Sequence, residues 1–286
     1  SSDLYIIKSG ISSDLLDGLL CGCGGREEPP EPAVLTDTVP TTQTSADEGL
    51  IFLEPETKPE TQSSASAPAV PEDVPYSMVE RNDSIRNDNG DVLITILYQR
   101  IILDSTGLPQ WQNINEAILE DYNRFAADVA YLRETPAEEW EKMVQDMGSL
   151  YGNLMATRSA AVTNTEDGIL SIRMQQDWFM GGVYNHDRYG LNFDLTTGEP
   201  LSLARLSDLP PEAFEDQLKQ IVCAGLEKYR EILFEDPAAV LESYTLETMG
   251  FYLEAGELVL VFPTYTFGPG AMGPTVIETG LYPKLS

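Results

Sequence analysis

His186 is the only histidine of the chain, and three aspartates, Asp177, Asp187 and Asp194, lie near it in the sequence. A histidine that is oriented by a carboxylate can act as a general base, and two carboxylates that converge on a sugar can cleave a glycosidic bond. A single His-Asp pair in a polar loop is, however, more often a surface hydrogen-bonding pair. We therefore predict no catalytic residue, and a carboxylate-dependent peptidoglycan hydrolase is the alternative among enzymes.

The residue types that bind metals and cofactors lack the necessary spacing. One histidine and three scattered cysteines give no zinc-binding pattern, and no aspartate-rich loop has the regular ligand positions of an EF-hand. The sequence also contains no nucleophile elbow, phosphate-binding loop or dinucleotide-binding glycine motif. We expect neither a metal site nor a cofactor.

Two stretches of aromatic and polar residues are better candidates for binding than for catalysis. Aromatic side chains among polar ones on loops are typical anchors of protein interfaces. For any single tyrosine, a half-buried packing role is an equally good interpretation. The predicted contact residues are Tyr184, His186, Asp187, Arg188, Tyr189, Tyr265, Phe267 and Met272.

The first of these stretches lies in a segment, residues 178–203, around which the rest of the chain is organised. The pattern predicts a strand that breaks at Gly181-Gly182, a polar loop that holds His186, a second strand at 191–195 and a turn at Thr197-Gly198. A glycine pair that interrupts a strand marks a bulge or the close approach of another group.

Strands and long helices alternate along the rest of the chain. Two strands joined by a turn at 87–90 precede a helix capped by Asn113, a second helix at 136–147 and strands at 155–165 and 170–178. Pro210-Pro211 begin a long helix whose inner face runs from Phe214 to Leu233, and a hairpin turns at Ala255-Gly256.

This order predicts an α+β fold with long helices packed on one face of antiparallel sheets. We expect two subdomains of similar size. An N-terminal α+β domain would span residues 76–164, and a C-terminal α+β domain would span residues 165–286.

The chain is strongly acidic. Its 286 residues carry a formal net charge of −30. Residues 76–286 contain 14 Lys and Arg against 33 Asp and Glu, which gives −19, so the excess is not confined to the N-terminal region. Such a field repels nucleic acid and anionic membranes, and a basic protein is its natural complement. Solubility alone is the other explanation of this charge.

The N-terminal quarter has the composition of an export and spacer region. Residues 1–23 resemble a damaged or partial lipoprotein signal, in which Cys23 is the candidate for lipidation. Residues 24–75 are rich in Pro, Glu, Thr and Ser and predict a disordered acidic linker. No stretch reaches the 18 or so apolar residues of a membrane span, so we expect membrane attachment only through a lipid anchor.

Several motifs resemble one known family. They are Gly181-Gly182, a nearby histidine, Asn192-Phe193-Asp194-Leu195 followed by Thr197-Gly198, the pair Phe251-Tyr252-Leu253 and 258–261, and Phe262, Tyr265, Pro269 and Gly273 at fixed spacing. They are similar to the C-terminal domain of RsiV-type anti-sigma factors, domain-of-unknown-function family 3298, which also accompanies PdaC-type peptidoglycan deacetylases. The resemblance covers residues 167–285, and residues 76–164 correspond to the usual preceding partner domain. Three residues separate the glycine pair from His186, where the family pattern has one.

The resemblance implies a function outside the cytoplasm. RsiV-like domains are extracytoplasmic sensors of lysozyme, a small basic protein, and the deacetylases carry their catalytic part separately. We therefore predict a non-enzymatic bacterial binding protein, at the cell surface or anchored to the membrane as a lipoprotein. Its partner would be a basic protein such as lysozyme, and cell-wall peptidoglycan is the alternative ligand.

Overall fold

The computed structural model describes residues 74–147 and 154–285. The described residues form two sheets, one of five strands in the order β1-β2-β3-β4-β5 and one of three in the order β6-β7-β8. The predicted α+β fold class is confirmed. The strands are β1 (Tyr76–Arg86), β2 (Val92–Leu103), β3 (Leu154–Asn164), β4 (Ile169–Phe179), β5 (Asn185–Asp194), β6 (Gly250–Glu254), β7 (Glu257–Phe262) and β8 (Thr275–Glu278).

Every neighbouring pair of strands is antiparallel except β2 and β3, which run parallel. Parallel neighbours need a long crossover connection. The helices α1 (Gln110–Asp128), α2 (Tyr131–Glu134) and α3 (Ala137–Met147) lie in the connection between these two strands. Apolar side chains of the crossover and the sheet are buried together, so the helices cover this face.

Helix α1 begins one turn earlier than the sequence predicts. The residue that precedes it is Pro109, and Asn113 lies exposed inside the helix, so the predicted cap at Asn113 is wrong. Proline is tolerated at a helix start because the first N–H groups have no partner within the helix. The buried Trp111 also holds this turn, since its indole N–H donates to the carbonyl of Leu195 at 3.0 Å.

The second sheet packs against α4 (Pro211–Leu226) and α5 (Pro237–Leu241), and a 3-10 helix (Glu227–Ile232) lies between them in the sequence. The predicted long helix therefore ends as an α-helix at Leu226. The 3-10 turn has no buried residue, and Tyr229 is exposed, so no packed face continues the α-helical stripe. The predicted hairpin is confirmed, because β6 and β7 turn at Ala255-Gly256, both of which have positive φ.

One edge of β6 is held by polar side chains of the first sheet. The Asn192 amide donates to the carbonyl of Phe251 at 2.7 Å. The Leu253 N–H donates to the Ser171 hydroxyl at 3.1 Å, and the Thr163 hydroxyl donates to the Leu253 carbonyl at 2.6 Å. Buried backbone groups without a partner are costly. These side chains therefore supply the hydrogen bonds that a neighbouring strand would otherwise make to β6.

The contact between the two sheets continues into the β6–β7 hairpin, and at the centre of this contact there is no room for a side chain. The Ala255 N–H donates to the Thr163 carbonyl and the Gly256 N–H to the Asn164 side chain, both at 3.0 Å. Gly190 faces β6, and a Cβ there would overlap the carbonyl oxygen of Phe251. The two sheets therefore meet with backbone against backbone, which only glycine permits at this position.

The predicted domain boundary at 164/165 falls in the turn between β3 and β4. These strands are antiparallel neighbours in the five-stranded sheet, paired from Met155 opposite Phe179 to Asn164 opposite Ser171.

Removing the polar pair under β6 tests this contact. The Ser171 hydroxyl donates to the side-chain amide oxygen of Asn192 at 2.6 Å, so the two side chains form one network. We expect Ser171→Ala and Asn192→Ala each to lower the free energy of unfolding by about 1–3 kcal/mol. The double variant should lose less than the sum, because either change already breaks the network. Urea denaturation measures all three, and strictly additive losses would contradict a shared network.

Candidate functional site

The predicted polar loop around His186 is in fact the first half of β5. His186 pairs with Asp177 and Asn185 with Trp178, so residues 186–189 lie on a strand rather than in a loop. Gly181 and Gly182 have φ of 86° and 98° and form the turn between β4 and β5. The prediction of a loop was wrong because β5 lies at the edge of the described sheet. Its first residues are only half-buried, so polar side chains are tolerated on a strand there.

The loop after β7, residues 263–273, lies against the beginning of β5. The Thr264 N–H donates to the Asp187 carboxylate at 2.8 Å, and its hydroxyl donates to the His186 carbonyl. The Tyr265 hydroxyl donates to the Asn185 side chain at 3.2 Å. Two predicted stretches that are about 80 residues apart in the sequence are thus brought together.

The spaced residues Phe262, Tyr265, Pro269 and Gly273 each shape this loop. Phe262 is buried in the core, and Pro269 precedes a short 3-10 turn, Gly270–Met272. Tyr265 has a φ of 72°, which is rare for a residue with an aromatic side chain. A Cβ at Gly273 would overlap the imidazole of His186, so this glycine allows the ring to lie on the loop backbone.

The carboxylate of Asp177 interacts with several side chains beside this loop. Its carboxylate accepts a hydrogen bond from Gln175 at 3.1 Å and lies 3.7 Å from Nδ1 of His186. Burial raises the pKa of Tyr184, and so do the hydrogen bond to Asp177 and the charge of that carboxylate. The Tyr184 and His186 rings are 6.2 Å apart.

The structure exposes some of the predicted contact residues and buries others. Tyr184 and Tyr265 are 50% and 52% exposed, whereas His186, Asp187, Arg188 and Met272 are half-buried. Phe267 is buried with its ring edge-on to Phe262, so it belongs to the core and not to an accessible surface.

Tyr189 points into a buried charged cluster instead of solvent. Its hydroxyl donates to the Asp121 carboxylate at 3.2 Å, and Asp121 forms an ion pair with the buried Arg158. The guanidinium of Arg158 lies over the rings of Tyr189 and Phe125. Burial raises the pKa of Tyr189, while the neighbouring Arg158 lowers it by a smaller amount. Tyr189 therefore joins β5 to α1.

Three exposed apolar residues of this region, Val183, Ile232 and Phe234, were not predicted. Ile232 and Phe234 are 48% and 60% exposed, and their segment contacts the same loop through the Phe234 N–H, which donates to the Phe267 carbonyl at 2.9 Å. The sequence could have indicated that Ile232 and Phe234 are exposed, because one face of a helix cannot bury the three consecutive apolar residues Ile232-Leu233-Phe234. We call the exposed residues on the segments that contact the loop 263–273, together with Tyr265 of that loop, the aromatic end: Val183, Tyr184, Ile232, Phe234 and Tyr265.

Asp177 and Asp194 do not converge as a pair of carboxylates that cleaves a glycosidic bond must. Asp177 pairs opposite His186 and Asp194 opposite Ile169, eight residues away along β5. At about 3.4 Å per residue this is roughly 27 Å, and paired carboxylates in glycosidases lie within about 10 Å of each other.

Asp194 has a structural role. It accepts hydrogen bonds from the N–H groups of Thr196 and Thr197 and an ion pair from Arg205 at 2.7 Å. Burial raises the pKa of Asp194, but these hydrogen bonds and the Arg205 charge lower it more. The pKa of this carboxyl therefore lies below its ordinary value.

Outside the aromatic end, the described residues contain two cavities but no metal-binding cluster. No group of three or more His, Cys, Asp or Glu side chains among them is placed to bind a metal. No helix in the described ranges has the length and apolarity to span a membrane. A small cavity of about 60 Å³ lies beside Cys223 and Arg230, and a larger one of about 320 Å³ lies beside Cys223 and Lys219. Cys23, the predicted lipidation site, lies outside the described residues.

Residues 207–278, which run from just before α4 through β8, match the family model described as "Protein of unknown function (DUF3298)". The chain contains a DUF3298 domain. This domain supplies α4, the β6–β7 hairpin and the loop of the aromatic end, and the remaining strands of the site precede it.

Two solved structures of DUF3298 family proteins are similar to this chain. One, from Pseudomonas aeruginosa PAO1, is 18% identical with a TM-score of 0.48, covering 73% of this chain and 91% of that one. Another, from Bacteroides fragilis NCTC 9343, is 16% identical with a TM-score of 0.43, covering 72% and 89%. A comparison with curated proteins found no match.

Because the pKa of Asp194 is lowered in the folded protein, the stability that is lost on replacing this residue should depend on pH. The unfolded carboxyl titrates near pH 3.9, and the folded one titrates lower. The stability from the charged form is therefore complete above that pH and is lost as the pH falls through the folded pKa. We expect Asp194→Asn to lower the free energy of unfolding by about 1–3 kcal/mol at pH 7, with a smaller deficit at pH 3.

Urea denaturation at pH 7, 5, 4 and 3 measures this dependence. The exposed Asp208 provides a matched control, and Asp208→Asn should change stability little at any of these values. A deficit of Asp194→Asn that is as large at pH 3 as at pH 7 would contradict the electrostatic account.

Proposed function

We propose that this protein is a non-enzymatic sensor that binds a basic protein through the aromatic end. The observation that carries the proposal is the pair of exposed tyrosines at one edge of the first sheet, Tyr184, which hydrogen-bonds to Asp177, and Tyr265, which hydrogen-bonds to Asn185. Exposed aromatic side chains in a fixed position are the usual energetic centres of protein interfaces, because they bury large area at little entropic cost.

The backbone of Tyr265 supports a functional role for its ring. A φ of 72° at a non-glycine residue costs on the order of 1–3 kcal/mol and persists where surrounding contacts impose it. Here the flanking contacts are those of Thr264 with Asp187 and His186. The ring itself lies against Gly270, whose missing side chain leaves room for it, and it remains about half exposed.

Charge favours a basic partner. Exposed Glu231, Glu235 and Asp236 flank Ile232 and Phe234 at the aromatic end, within a chain of net charge −30. Such a field accelerates association with a cationic protein, and the acceleration falls as salt screens it. The apolar anchors do not depend on salt in this way, so a specific complex should survive physiological ionic strength.

Lysozyme is the partner we propose to test first. The DUF3298 domain and the motif residues that shape its loop resemble the RsiV-type sensors, whose partner is lysozyme. The same resemblance to RsiV and to the PdaC accessory domain supports a place outside the cytoplasm, with Cys23 as the lipid anchor. Peptidoglycan is the second ligand to test. Trp178, which could serve as a sugar platform, is half-buried against Tyr131, so Tyr184 would act there alone.

Calorimetric titration of the full chain with lysozyme at low and physiological salt tests the proposal. We expect a 1:1 complex at both salt concentrations, and a loss of about 10- to 30-fold in affinity for Tyr184→Ala and for Tyr265→Ala. Tyr282→Ala is the matched control. Tyr282 is 68% exposed and lies by the hairpin turn at Gly256, at the far end of β7 from Tyr265.

Each other outcome has a distinct meaning. Binding at low salt alone would indicate nonspecific charge attraction. Equal losses for the Tyr184 and Tyr282 variants would place the interface elsewhere. No binding at either salt would overturn lysozyme as the partner, and titration with peptidoglycan fragments would then decide between the two ligands.

A further inference from the structure

Strand β1 leaves one edge of the five-stranded sheet without a partner among the described residues. It is 11 residues long, and among the described strands it pairs only with β2. Residues 76–82 are all exposed, including the apolar side chains of Tyr76, Met78 and Val79. A long open edge of this kind is a template for another strand.

The backbone groups that point away from β2 can be assigned. The Pro75 carbonyl accepts from the Asp104 N–H at 3.0 Å, so residue 75 faces β2. Orientation alternates along an antiparallel strand, and the odd-numbered residues of β1 therefore bond to β2. The even-numbered residues, of which Asn82 lies near the centre, direct their N–H and C=O groups outward.

The sequence of β1 is complementary to itself in one antiparallel register. A two-fold axis through Asn82 pairs this residue with its own copy, with outward-facing residues opposite each other. The same register sets Arg81 opposite Asp83, and Val79 opposite Ile85, twice each. Both kinds of pair stabilise antiparallel sheets, since opposite charges and β-branched side chains face each other.

Charge favours a second copy of this chain as the occupant of this edge. Strand β1 has two acidic residues, Glu80 and Asp83, and two basic ones, Arg81 and Arg86. It is therefore neutral, whereas residues 76–286 carry −19. Two copies that meet at β1 avoid the local repulsion that other acidic surfaces would create, and salt screens the remainder.

We propose that β1 pairs antiparallel with β1 of a second copy, centred on Asn82, and joins the two five-stranded sheets into one of ten strands. The aromatic end lies at the opposite edge of the sheet, on β5. The dimer therefore leaves both aromatic ends free and does not depend on the proposed partner. It would present two binding surfaces, so a clustered ligand would be held more tightly than a single one.

Cysteine cross-linking of the full chain tests the register. In a background with Cys21, Cys23 and Cys223 changed to Ser, the variant Asn82→Cys places two thiols across the axis, with Cα atoms about 5.5 Å apart, within disulfide range. Ser84→Cys is the matched control, because residue 84 faces residue 80 of the other copy. Its two thiols would lie about 14 Å apart along the strands.

We expect rapid covalent dimer formation for Asn82→Cys at physiological salt and little for Ser84→Cys, with mild oxidation followed by non-reducing electrophoresis. Absence of cross-linking in both variants, or equal cross-linking in both, would overturn the proposed register.

Sedimentation of the unmodified chain provides an independent test. We expect a dimer at about tens of micromolar protein, and for Asn82→Pro a monomer that still unfolds in one cooperative thermal transition, at a midpoint no higher than that of the dimer. Proline removes an N–H that faces away from β2, and edge strands tolerate it there. A monomeric wild-type chain, or a dimer that Asn82→Pro leaves intact, would overturn the proposal.

Discussion

The structure depends on how the free edge of β6 is satisfied. Among the described strands only β7 pairs with β6, and the backbone groups on the other edge of β6 are buried against the first sheet, where an unpaired carbonyl or N–H is costly. Asn192, Ser171 and Thr163 supply the missing hydrogen bonds from three different strands. A contact of this kind fixes position as well as energy, because each bond has a defined direction.

The position of β6 determines where the aromatic end forms. Strand β7 pairs with β6 and leads directly into the loop 263–273, so docking of β6 brings this loop to the beginning of β5. There the Thr264 contacts and the imidazole of His186 on Gly273 hold Tyr265 in an unfavourable backbone conformation. The proposed binding surface is therefore assembled from the DUF3298 domain and a strand that precedes it.

Local patterns predicted local structure well, and the contacts between distant segments could not be predicted. The β6–β7 hairpin follows from the turn at Ala255-Gly256. The first half of β5, residues 185–190, was wrongly predicted as a loop, because its polar residues are satisfied by β4 and by Thr264, which is distant in sequence.

Burial of aromatic residues was equally hard to predict from the sequence. Tyr184 and Tyr265 are exposed, but Phe267 lies in the core and Tyr189 reaches a buried carboxylate on α1.

Hydrogen exchange of the full chain, with and without lysozyme at physiological salt, tests the central claim most directly. The account predicts slower exchange at the amides of residues 183–187 and 264–273 in the complex. Unchanged exchange there, with protection at the acidic helix α3 instead, would contradict it.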